Sequence, residues 1–147
     1  MNAPDLTKNP PRSPRVRLGG YTILPRILDK ARATLAGLNG EYGYKKPTDW
    51  HFFRFTGIDP EALLEKVQTG AGDWEILQWI QDKAPQKHTP WEISQWSTWT
   101  ENFAFHDVEM REWFTEEIKR INPARDDIQT LFDRLDLDDY ISFGGRA

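Results

Sequence analysis

The placement of ten prolines constrains this 147-residue chain more than any other feature. Four of them, Pro4, Pro10, Pro11 and Pro14, crowd the N-terminus. Proline has no backbone N–H and a fixed φ, so this stretch cannot be helical and favours an extended path. The others fall where a helix begins or has ended. Pro25, Pro60 and Pro90 stand at first turns, where a missing N–H costs nothing. Pro47, Pro85 and Pro123 fall in breaks. The chain is thereby cut into an arm followed by windows of helical length.

Apolar residues fill those windows at helical spacing. Leu24, Ile27, Leu28, Ala31, Leu35 and Leu38 lie on one helix face, with Gly37 or Gly40 as a left-handed stop. Asp49 is read as the cap of a short helix carrying Trp50, Phe52, Phe53 and Phe55. Asp59-Pro60-Glu61 is a helix start, followed by Leu63, Leu64 and Val67. Asp73 opens the next helix, with Ile76, Leu77 and Ile80 inward. Thr89-Pro90-Trp91-Glu92 is a capping box ahead of Ile93, Trp96, Trp99 and Phe103. Asp107 caps a helix with Met110, Trp113, Phe114, Ile118 and Ile121, and Asp126 or Asp127 opens the last one. No strand is expected and no repeat is present. The expected class is all-α: about six helices plus a short one, as an antiparallel bundle or orthogonal array. Residues 1–20 form the extended arm and 21–147 the single helical domain.

Several function classes are excluded or unsupported. With no cysteine there is no disulfide, zinc-thiolate site or thiol nucleophile. No apolar run approaches the roughly 18–20 residues of a membrane helix. The first twenty residues lack the apolar stretch of a signal peptide. The expectation is a soluble cytoplasmic protein without a membrane partner. No phosphate-binding loop or dinucleotide fingerprint occurs, and no cofactor is expected. Three histidines without ligand spacing, and an Asp136/Asp138/Asp139 cluster without the glycine and glutamate of a calcium loop, give no metal site. Net charge is −4, split as +5 over residues 1–60 and −9 over 61–147. A basic segment beside a more acidic one points to internal pairing of Arg12, Arg15 and Arg17, and nucleic acid is not an expected partner.

P-D-L-T-K at 4–8, P-P-R-S-P-R at 10–15, L-G-G-Y at 18–21, L-P-R-I-L-D-K-A-R-A at 24–33 and G-E-Y at 40–42 together resemble one bacterial family, domain of unknown function 5069. The likeness runs more loosely through F-T-G-I-D at 55–59 to the end. It implies a single small domain occupying the chain and an ordered arm, with Leu6, Val16 and Leu18 partly buried. It brings no activity with it. Where the family often reads N-C-P-x-D, this chain has Lys45-Lys46-Pro47-Thr48-Asp49, so a thiol has no role here.

Two functional readings follow. Arg26, Asp29 and Lys30 share one polar helix face, as a solvated ladder or as a clamp on a carboxylate or phosphate. In the first reading they and Arg32 form the polar end of a pocket walled by Trp50, Trp96 and Trp99. Asp29 then orients the cation, and His51 or His106 supplies acid–base chemistry. The ligand is a small anion or aromatic compound, and a cofactor-independent enzyme falls within this reading. The second reading takes the seven tryptophans as an interaction surface, for another protein or a second copy of this chain.

Overall fold

The computed structural model describes residues 3–145. Over them the chain forms β1 (Arg17–Leu18) and β2 (Tyr21–Thr22). The helices are α1 (Leu24–Ala36), α2 (Trp50–Thr56), α3 (Pro60–Gln68), α4 (Asp73–Lys83), α5 (Pro90–Glu101), α6 (Val108–Ile121) and α7 (Leu131–Ser142). The mostly helical class expected from the apolar stripes is the one found. The hairpin is a departure. Arg17 pairs with Thr22 and Leu18 with Tyr21 across Gly19-Gly20, whose φ values are 59° and 83°. A two-residue loop with both φ positive has the twist that closes a hairpin. Its strands are too short to show alternation in the sequence.

Helix α1 is the centre of the fold. Every residue from Leu24 to Ala33 is buried. Ile23 precedes it at φ 63°, a rare conformation for a β-branched residue, held by a side chain with no exposed surface. Gly37 closes the helix in the left-handed region, its N–H directed at Ala33 O and Thr34 O. The apolar side of α1 meets Phe52 of α2, Leu63 of α3, Ile76 and Ile80 of α4, Ile93 of α5 and Phe132 of α7 in one core. A smaller cluster, Ile118, Ile128 and Leu137, joins α6 to α7. Leu35, placed on the inward stripe by its spacing, is exposed because the last turn of α1 leaves the core.

Three other expectations are corrected. Helix α7 starts at Leu131, not beside Asp126 or Asp127. Thr130 and Asp133 exchange side-chain-to-backbone hydrogen bonds in a capping box at 3.0 and 3.1 Å. Asp49 makes no side-chain cap for α2; its carboxylate is engaged elsewhere, as described below. In the arm, Leu6 and Leu18 are buried and Leu6 N–H donates to Leu38 O at 2.9 Å, while Val16 is exposed.

A buried hydroxyl helps to pin the hairpin to α5. Ser97 Oγ accepts from Thr22 N–H at 3.0 Å and donates to Gly20 O at 2.6 Å. Both Ser97 and Thr22 have no exposed surface. Ser97→Ala removes both bonds and strands a buried N–H. We expect a loss of about 1–3 kcal/mol in urea denaturation; a change within experimental error would show that the hairpin does not depend on this hydroxyl.

Candidate functional site

The polar residues of α1 form neither a solvated ladder nor an open clamp. Arg26, Asp29, Lys30 and Arg32 are all buried, and a buried charge must be paired or neutralised. Each has found a partner far away in sequence. Arg26 grips Asp139 of α7 with both terminal nitrogens, at 2.6 and 3.1 Å, and Tyr42 O–H donates to the same carboxylate at 2.9 Å. Asp29 accepts from Arg12 Nε and Nη2 at 2.9 and 2.8 Å and from the Arg12 backbone N–H at 2.9 Å. Arg12 also reaches Asp73 at 2.8 Å, which Arg32 contacts at 2.8 Å. Lys30 Nζ donates to both oxygens of Asp49, at 2.6 and 2.7 Å.

The remaining arm arginines pair with the acidic half of the chain. Arg15 meets Asp133 and Asp136. Arg17 clasps Glu101 with two hydrogen bonds at 2.9 and 3.0 Å.

Two of the expected site residues, Arg26 and Lys30, line a cavity of about 680 Å³ between the start of α1, the 40–49 loop and α7. Its aromatic wall is Tyr42 and Phe143, stacked at 6.4 Å with 12° between planes. Leu6, Ile23 and Leu135 supply apolar surface, and Lys46, Arg134, Glu41, Asp49 and Asp138 further charge. Lys46 lies across Gly43, where a Cβ would come within 2.5 Å of Lys46 Cε. Arg134 reaches Glu117 at 3.2 Å and sits 5.2 Å over the Trp113 ring. Its buried Nε has no hydrogen-bond partner among the described residues.

The other expected residues lie elsewhere. Asp29 and Arg32 belong to the network that ties the arm to α4. Trp50 is partly exposed, edge-on to Phe53. Trp96 stacks on Phe55 at 4.7 Å, and His88 stacks on the same ring at 3.8 Å. Trp99 is exposed and tilted against His51 at 6.1 Å. Burial, and then the charge of Arg54, push the His51 imidazole below its usual range. His106 is exposed beside Phe103. The cavity that holds Arg26 and Lys30 is therefore lined by tyrosine and phenylalanine and by none of Trp50, Trp96 and Trp99.

Tyr42, Lys46, Asp49, Arg134 and Phe143 were not singled out as site residues by sequence reasoning. Asp49 and Tyr42 had a signal. Asp49 ends the P-x-D stretch where the chain agrees with the family pattern, and Tyr42 ends G-E-Y. Arg134 and Phe143 had none, since only the fold brings α7 against α1.

Electrostatics at the cavity floor are dominated by burial. Asp49 has no exposed side-chain surface and Lys30 very little. Burial pushes Asp49 up and Lys30 down, each opposed by the partner's charge; Arg26 and Lys46 add to the lowering of Lys30. Burial raises Tyr42, helped by its hydrogen bond to Asp139. No group of three or more potential metal ligands occurs among the described residues. No helix there is long and apolar enough to cross a membrane.

The fold and its cavity define a small helical protein with a mixed-charge, aromatic-walled chamber. The model of the family described as domain of unknown function, DUF5069, matches residues 8–141, and the chain belongs to that family. Among curated proteins none matches the sequence.

Two predictions follow from the ion pairs. Lys30→Met or Asp49→Leu alone leaves an unpaired buried charge and is expected to cost about 3–5 kcal/mol. The double variant should recover most of that loss or exceed wild-type stability. Additive losses in a denaturation cycle would overturn the pairing.

The second concerns acid. Hydrogen bonds from Arg17 hold Glu101 below the usual glutamate range. A carboxyl with a lower pKa in the folded state stabilises the fold above its unfolded value, and that contribution fades as pH falls toward the folded one. Glu101→Gln should therefore narrow the stability difference between neutral and acidic pH. An unchanged pH profile of the melting temperature would remove Glu101 from the account.

Proposed function

We propose that this protein binds a small organic acid or phosphate ester in the cavity between α1, the 40–49 loop and α7. The observation that supports this most is Lys46, a cationic donor on the cavity wall that has no counter-ion among the described residues. Arg26, Lys30 and Arg134 are neutralised by Asp139, Asp49 and Glu117, whereas Lys46 forms no such ion pair. Charge-assisted hydrogen bonds to an anion are the strong kind. Glu41 and Asp138 on the same wall accept from hydroxyl groups, which favours a polar, hydroxylated ligand over a purely aromatic one. Tyr42 and Phe143 supply a flat surface for its carbon skeleton. A volume of about 680 Å³ falls within the range of small-molecule sites.

Calorimetric titration with inorganic phosphate, pyruvate, gluconate and glycerol phosphate tests this. At least one should bind saturably. Lys46→Ala, on an exposed loop, should weaken that ligand by about tenfold or more while leaving the fold intact, as expected for one charge-assisted hydrogen bond. Equal affinity in wild type and variant would remove the anion from this cavity.

A second reading is self-association through α5. Trp91 and Trp99 are exposed by 68% and 54% and border one shallow groove with Gln95 and Thr98. Sedimentation equilibrium decides it: a dimer lost on Trp91→Gln plus Trp99→Gln supports this reading, and a monomeric wild type removes it.

A further inference from the structure

The Lys30–Asp49 pair is built unlike the other ion pairs of α1. Arg12, Arg26 and Arg32 are guanidinium groups, which stay charged at any relevant pH and act as anchors. Lys30 is the one amine among them, and amines exchange protons. Its Nζ carries three hydrogens, of which two are directed at Asp49. No third acceptor is found among the described residues, and Lys30 lines the cavity. Asp49 Oδ2 also accepts the Lys46 backbone N–H at 3.1 Å, which fixes the carboxylate in place.

We propose that Lys30 is an amine nucleophile that condenses with the carbonyl group of a small anionic oxo compound held in this cavity, with Asp49 as its proton partner. This rests on the ligand reading above and goes beyond it by assigning a reaction and a reacting atom.

The chemistry balances with the residues present. Moving one proton from Nζ to Asp49, across 2.6 Å, converts ammonium and carboxylate into amine and carboxylic acid with no change in net charge. Burial favours the neutral couple; the charges of Arg26 and Lys46 disfavour the ammonium, while Arg26 and the Lys46 N–H favour the ionised Asp49 that is restored at the end of the reaction. The Nζ lone pair then attacks the carbonyl carbon. As the C–N bond forms, the carbonyl π electrons move to oxygen, which takes the proton from Asp49. The resulting carbinolamine carries its proton surplus on nitrogen. Asp49 accepts that proton and delivers it to the hydroxyl, which leaves as water. The product is a protonated imine beside an ionised Asp49, so one ammonium and one carbonyl have become one iminium and one water. Nothing is oxidised or reduced, and no further reactant is needed. Lys46 on the cavity wall holds the anionic end of the compound, a carboxylate or a phosphate.

Borohydride trapping tests the proposal. Wild-type protein is incubated with pyruvate or with dihydroxyacetone phosphate, reduced with cyanoborohydride, digested and mapped by mass spectrometry. The expected result is a reduced adduct on Lys30, formed faster than on the exposed Lys8, Lys83 and Lys119, as its place on the cavity wall beside Asp49 implies. Adduct from pyruvate alone assigns a carboxylate-bearing substrate, and adduct from the phosphate alone a phosphate-bearing one. The Lys30→Met/Asp49→Leu variant, which leaves no buried charge behind, should fold and give no adduct in that peptide. Adducts spread evenly over surface lysines would overturn the proposal. So would saturable calorimetric binding of either compound without any Lys30 adduct, and in that case the ligand reading survives. Absence of both binding and adduct defeats the two together.

Discussion

Four charged side chains in the buried stretch of α1, Leu24 to Ala33, are the constraint on which the rest of this structure depends. Arg26, Asp29, Lys30 and Arg32 cannot be left unpaired in the interior, because an uncompensated buried charge costs several kcal/mol. Their partners come from the arm, the 40–49 loop, the start of α4 and the end of α7. The path of the chain around α1 can be read as the set of routes that deliver those partners. Apolar contacts drive collapse, but they tolerate many arrangements. Bidentate pairs such as Arg26–Asp139 and Arg12–Asp29 have fixed geometry and accept few.

The same requirement leaves room for chemistry. Arginine at three of the four pairs gives anchors that do not titrate. Lysine at the fourth gives a pair whose members are both pushed toward neutrality by burial. That pair borders the chamber, while the Arg12–Asp29–Asp73–Arg32 network lies away from it. Anchoring and ligand contact are thus divided along one helix, and Arg26 takes part in both.

Much of the fold was legible because its signals are local. The stop at Gly37, the Asp59-Pro60 start and the Thr89–Glu92 capping box act within a few residues, and each is found where its chemistry puts it. Thr130–Asp133 is an equally local signal, masked by the two aspartates just before it. The site was less legible. Charges spaced three and four apart on a helix look alike whether water or a distant carboxylate faces them. Nothing near Arg26 announces Asp139. Asp49 resembled a helix cap because an acid before an aromatic run is what a cap looks like, and its burial against Lys30 depends on the whole fold.

The sequence distance between these partners has a consequence for synthesis. Arg26 and Asp139 are 113 residues apart, and Arg15 and Asp136 are 121 apart. A nascent chain emerges from its N-terminus, so α1 exists long before its last counter-ion does. Until α7 is made, the Arg26 guanidinium must stay hydrated, which keeps one side of α1 open to water after α2, α3 and α4 have been translated. Closure of the interior is thereby deferred to the final helix. The contacts that complete this protein are among the longest-range it has, and loop closure must precede the gain they bring.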